Sequence, residues 1–214
     1  MPRDTGARHS TCRKCGWGAA LAVALVLAVL VFSWVRPVVR WRAVAEAMGR
    51  QDTLHGIGRI YLRDNSQWDC ALWAKVEGPG QTIPNTMARP VRLPAGQTTV
   101  PQRPDPMLMA FQQAMDLCGE EGIITRLAAS GHSRRRGRRT EWHGQPAITV
   151  EVQNPASLRR GATGFPDAWR LVVDPQSKLV LAATMLVKES GEDVPRGRCE
   201  YEYNAPLPKG FREK

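Results

Sequence analysis

The residues best equipped for chemistry are few and scattered. Four histidines, His9, His55, His132 and His143, occur in 214 residues. None stands in the His-Glu-x-x-His spacing that puts two imidazoles and a general base on one helix face. Glu141-Trp142-His143 sets a carboxylate near an imidazole, and a lone His beside Trp at a strand entrance reads as structural. Asp64, Asp69 and Asp174 fall in turns or on exposed strand faces, with no spacing that pairs them for acid–base work. Neither a Gly-x-Ser-x-Gly elbow nor a phosphate-cradling Gly-x-x-x-x-Gly-Lys loop occurs. His9, Cys12 and Cys15 make half a metal motif, but zinc usually takes four ligands and no second pair follows nearby. The reading is therefore a protein that is not an enzyme, with no catalytic residue, no metal site and no cofactor. Cys70, Cys118 and Cys199 allow at most one internal disulfide, and no pair is singled out.

The formal net charge of +10 suggests nucleic acid until it is divided along the chain. Arg3, Arg8, Arg13 and Lys14 stand against Asp4 in the first residues, and Arg36 and Arg40 add two more charges. Beyond Trp41, the five arginines Arg134, Arg135, Arg136, Arg138 and Arg139 equal the whole remaining basic excess. A duplex-binding domain spreads its charge along a face that follows phosphates, so nucleic acid is not an expected partner.

Residues 15–35 carry no charge over 21 positions, CGWGAALAVALVLAVLVFSWV. As a helix this run spans about 31 Å, close to the roughly 30 Å of bilayer hydrocarbon. Trp17 and Trp34 stand near its ends, where amphipathic rings favour the headgroup level. The run exceeds the apolar core of a cleaved signal peptide, and no good small-x-small site follows it closely. The expectation is an uncleaved transmembrane helix over 15–36. A short basic tail, 1–14, lies in the cytoplasm, and a domain over 41–214 lies outside it, tied to the inner (cell) membrane.

The elements of that domain follow from periodicity. Trp41, Val44, Ala45 and Met48 recur at helical spacing. Residues 54–63 and 66–76 alternate about an Asp64-Asn65 turn and form a hairpin. Seven prolines between 78 and 106 leave room for edge strands only, at Thr86–Leu93 and Thr98–Pro101. Asp105 and Pro106 open a helix as N-cap and first residue, with Leu108, Phe111, Met115 and Cys118 on one face. The arginine cluster between Gly131 and Gly137 reads as a loop or hairpin tip. A strand at 147–153 precedes a three-strand meander turning at Asp174-Pro175 and at Gly191–Asp193. At least six strands result, an α+β domain.

Several of these segments match a known pattern. Thr53-Leu54-His55 ends the first helix, and Trp73-Ala74-Lys75 lies in the hairpin. Gly144-Gln145-Pro146-Ala147, Leu171-Val172-Val173-Asp174-Pro175 and Tyr203-Asn204-Ala205-Pro206-Leu207-Pro208 before Phe211 complete the set. Together they resemble the outer-membrane lipoprotein-carrier (LolA-like) superfamily over residues 41–212. The carriers lose a signal peptide, whereas this sequence keeps its apolar run, so the similarity is to membrane-anchored relatives. The resemblance implies a strongly curved antiparallel sheet, a half-open barrel, with helices over an apolar cavity. Trp68, Leu72, Leu171, Val173, Leu181 and Met185 would line it, and Leu108, Phe111 and Met115 would form its lid. The implied function is a membrane-tethered envelope domain that binds or senses a lipid or lipoprotein acyl chain. A second expectation is a regulatory module that meets an acidic envelope partner or anionic lipid through the Arg134–Arg139 cluster.

Overall fold

The computed structural model describes residues 22–28, 36–93, 105–120, 122–130, 134–153 and 166–211. The chain divides into two compact units, 1–36 and 37–214. In the first, residues 22–28 are helical, and Val23, Leu25, Val26 and Leu27 are exposed. Among the described residues no helix is long and apolar enough to cross a membrane. The expected span over 15–36 is thus matched only by these seven residues, and its flanks and the 1–14 tail lie outside the described set.

The second unit begins with β1 (Val38–Arg40) and α1 (Trp41–Met48), then β2 (Thr53–Tyr61), β3 (Gln67–Gly78) and β4 (Gln81–Arg92). Helices α2 (Pro106–Met115) and α3 (Ile123–Ala129) follow. The chain then makes β5 (Arg134–Arg136), β6 (Arg138–Trp142), β7 (Gln145–Gln153), β8 (Ala168–Val173), β9 (Val180–Glu189) and β10 (Glu192–Tyr203). Eight strands form one antiparallel sheet in the order β4-β3-β2-β10-β9-β8-β7-β6. β10 docks on β2 and so joins the meander to the first hairpin. β4 and β6 are edges, so the expected half-open barrel gives way to an open sheet that is neither closed nor strongly curled.

Local chemistry explains the parts that matter for the surfaces. In β2 and β3 the alternation sends Leu54, Ile60, Trp68, Cys70, Leu72 and Ala74 into the core. Asn65 takes φ 64° in their turn, where Asp64 Oδ1 accepts from the Ser66 backbone N–H at 2.9 Å. β4 starts at Gln81, earlier than expected, and runs unbroken through Pro84 and Pro90. Prolines are tolerated there because one side of the strand has no ladder to complete. Thr98–Pro101 lies outside the described residues. At the start of α2 the Met107 N–H donates to Asp105 Oδ1 at 2.7 Å, the N-cap expected from sequence. α3, for which the sequence offered no helix, packs on α1 and buries Ile124.

The arginine cluster is not a loop tip. Arg134–Arg136 pairs with Val38–Arg40 in a separate two-stranded ladder, and Arg138–Trp142 forms the edge strand beside β7. Gly137 is the pivot, its N–H bonded to the Pro37 carbonyl at 2.7 Å. A Cβ there would stand 2.4 Å from the Ile148 side chain, so only glycine lets the chain turn so close to β7. The last turn is Ser190-Gly191, and Glu192 and Asp193 already belong to β10.

Candidate functional site

The two faces of the large sheet offer two candidate sites. On the inner face stand the residues expected to line an apolar cavity. Leu72, Phe111 and Leu171 are fully buried, and Trp68, Leu108, Met115, Val173 and Met185 are buried with them in one cluster. Eight of the nine expected ligand residues are therefore together, but as packed core. Phe111 shows how the space is filled. Its ring sits over Gly58 and Gly197, where an added Cβ would approach ring atoms to 3.0 and 2.7 Å. The helix has pressed a phenyl group into a notch that two glycines leave in the sheet.

Leu181 is the exception among the expected lining residues. Between Val172↔Ala182 and Val173↔Val180 the β8–β9 register shifts, leaving Leu181 without a partner across the ladder. It packs instead with Trp142, Ala147, Val172 and Ala182 in a second, smaller cluster.

The inner face also holds the three thiols, all free and buried. Cys70 and Cys199 lie opposite Gly58 from its two sides, so two strand spacings, about 10 Å, separate them. That is beyond disulfide reach. Burial pushes each of the Cys70, Cys118 and Cys199 thiols up to about 12, which leaves them protonated and poor nucleophiles at neutral pH. Tyr201 and Tyr203 are raised well above the ordinary phenol value, chiefly by burial, and the Tyr203 hydroxyl donates to the Val180 carbonyl at 2.7 Å. The Trp68 indole N–H is buried with no hydrogen-bond partner among the described residues.

The outer face is built differently. Cross-strand register sets one transverse row as Arg89, Asp69, Arg59, Arg198, Thr184, Arg170 and Glu151, from β4 to β7. Arg59 grips Asp69 with two hydrogen bonds, 2.6 and 3.2 Å, and that pairing holds the Asp69 carboxyl below its usual range. Arg170 meets Glu151 at 2.7 Å. Arg198 reaches Glu200 at 3.1 Å and lies 4.6 Å from the centre of the Trp142 ring. The neighbouring row begins with the apolar Met87, Ala71 and Ile57 and continues with Glu200 of β10. Ile57 is 58% exposed and Met87 59%, unusual for large apolar side chains in the middle of strands. Beyond it His55 stacks on Trp73, ring centres 3.5 Å apart, with Nδ1 3.6 Å from Glu202. Burial lowers the His55 pKa, while Glu202 pulls the other way. These rows line an open groove of about 1270 Å³.

Sequence reasoning missed this groove because it followed the apolar residues of the first hairpin and assigned no role to those that alternate with them. The available signal was Ile57, an apolar residue that shares the outer face with the polar His55 and the exposed Arg59. Among the described residues no three His, Cys, Asp or Glu side chains are placed to hold a metal ion. Asp174 is a turn device: its carboxylate accepts from the Gln176 and Ser177 backbone N–H groups and from the Ser177 hydroxyl. His143 opens the β6–β7 turn at φ 47°. The five expected arginines are exposed, three in β5 and two in β6.

No family model matches the chain, and none of the curated proteins matches it. Among solved structures, MucB is similar at 14% identity and a TM-score of 0.32, over 79% of this chain and 59% of that one. MucB in the Pseudomonas aeruginosa MucA/MucB complex gives 15% identity and 0.28 over 79% and 58%. The chain thus spans about three-fifths of the length of these MucB chains. The LolA superfamily protein NE2245 from Nitrosomonas europaea gives 11% identity and 0.31, over 79% of this chain and 96% of its own.

Proposed function

We propose that this chain is a non-enzymatic, membrane-tethered binding domain of a bacterial envelope, and that it receives an extended segment of a partner protein in the groove on the outer face of its sheet. The observation that carries the reading is the exposed Ile57–Ala71–Met87 row beside a row with four arginines and only two carboxylates. Apolar side chains presented in a concave, charged rim mark a protein-binding surface. Arg59, Arg89, Arg170 and Arg198 of the groove stand against Asp69, Glu200 and Glu202, and the excess of one cation favours a segment in which an acidic residue accompanies alternating apolar ones. Alternation suits an extended chain, which directs successive side chains to opposite sides.

A photo-crosslinking residue in place of Met87, followed by sequencing of the attached peptide, tests this in cells. The expected adduct is a protein segment of alternating apolar and acidic character, lost when Ile57→Glu is added. Lipid adducts alone, or none, would overturn the reading.

A second reading, an apolar chain received beneath α2, is favoured by Phe111 in its glycine notch and by the unpartnered Trp68 N–H. It requires α2 to lift, because the residues concerned are buried as they stand. Saturable binding of a fluorescent lipopeptide that Phe111→Trp weakens would support it.

A further inference from the structure

The structure assigns the β1–β5 ribbon as a docking surface for anionic phospholipid. The register places Arg40 opposite Arg134 and Val38 opposite Arg136. Cross-strand partners share a face, so one side of this short ladder presents Arg40, Arg134, Arg136 and the half-exposed Val38. Arg135 projects from the other side, and Arg138 follows directly after the Gly137 pivot. Among the described residues no carboxylate pairs with Arg40, Arg134, Arg135 or Arg138. Like charges directly opposite in a ladder repel. An arrangement that holds Arg40 against Arg134 is eased by an anion laid over both.

The occupant follows from the shape and the chain order. The ladder is three residue pairs long, and its one-sided array of arginines flanks a half-exposed valine. That pattern suits a membrane surface: arginine stems lie along the interface with their heads among phosphates, and an exposed valine between them dips toward the acyl boundary. β1 also starts two residues after Arg36, where the apolar run of the sequence ends. Sequence alone could not bring Arg40 and Arg134 together, since they are far apart in the chain. The inference is independent of the outer groove, and it rests on the tether only for where the membrane would be met.

The full chain is mixed with vesicles of phosphatidylcholine alone or of phosphatidylcholine and phosphatidylglycerol at three to one, and tryptic cleavage after Arg136 and Arg138 is timed by mass spectrometry. The apolar run contributes to binding of both vesicle types, so the difference between them reads the ribbon. Cleavage is expected to slow only with phosphatidylglycerol, and the protection to vanish in high salt. Replacing Arg40 and Arg134 by Ser leaves both cleavage sites in place and lowers affinity for the mixed vesicles about fivefold per residue. The double Lys variant, which keeps the charge, retains protection and controls for folding. Equal cleavage with both vesicles overturns the inference. So does protection by a polyglutamate peptide without protection by phosphatidylglycerol, which would make the ribbon's partner an acidic protein.

Discussion

The inner and outer faces of one sheet, made from alternate residues of the same strands, follow opposite rules. Inward, β2 and β3 present Leu54, Ile60, Cys70 and Leu72 to a core that α2 closes with Phe111. Outward, two residues along at most, they present His55, Ile57, Arg59, Asp69 and Ala71 to an open groove. The inner face gains by excluding every partner, since removing a tightly packed side chain leaves a void that the surroundings fill poorly. The outer face is tuned the other way, with salt bridges about half exposed and apolar side chains left in water. Inner changes should therefore be read in stability and outer ones in binding.

Phe111→Ala should show the largest stability loss, about 3–5 kcal/mol by denaturant titration, because it empties the notch above Gly58 and Gly197. Gly197→Ala attacks the same contact from below: a Cβ 2.7 Å from the ring forces α2 outward and costs about 1–3 kcal/mol. Asp105→Ala removes the cap of α2 and should cost about 1 kcal/mol in the same titration. Ile57→Glu and Met87→Glu, both exposed, should stay within about 0.5 kcal/mol of the parent, and a larger loss would show that the outer row is core after all.

Acid supplies a subtler contrast. Asp174 is held below the usual carboxylate value by the Ser177 hydroxyl and by the Gln176 and Ser177 N–H groups, which together outweigh its partial burial. Asp69 is held down by Arg59. A depressed carboxyl contributes its stability in full above the unfolded value and loses it as pH falls through the lower folded value. Asp174→Asn should therefore lower stability near neutrality and flatten the acid limb of the pH–stability curve below the ordinary 3.8, so that the variant and the parent converge in acid. His55 behaves likewise from higher up: its lowered pKa means that stability present above the ordinary 6.5 declines as pH drops through it, and His55→Gln removes that step.

Periodicity made the inner face legible before any coordinates. The helix at Trp41–Met48, the hairpin around Asp64-Asn65, the Asp105 cap and the Asp174 turn are local patterns, and each was found where the spacing set it. What escaped depends on pairing between distant segments. β4 tolerates Pro84 and Pro90 only because it is an edge, which composition cannot reveal. Arg134–Arg136 becomes a strand because β1, far back in the chain, lies beside it. Leu181 was assigned inward by simple alternation, and one register irregularity turned it elsewhere. The groove stayed hidden for a similar reason, since it exists only when six strands bring their outward residues into line.

Methyl-resolved NMR of the full chain, titrated separately with a peptide alternating leucine and glutamate and with a short-chain lipopeptide, separates the faces in one spectrum. Met87 and Ile57 report the groove, while Met115 and Met185 report the packed interior. The expected result is that the peptide shifts the Met87 and Ile57 signals and leaves Met115 and Met185 in place. Shifts at Met115 and Met185 on adding lipopeptide, with Met87 and Ile57 unmoved by the peptide, would contradict it.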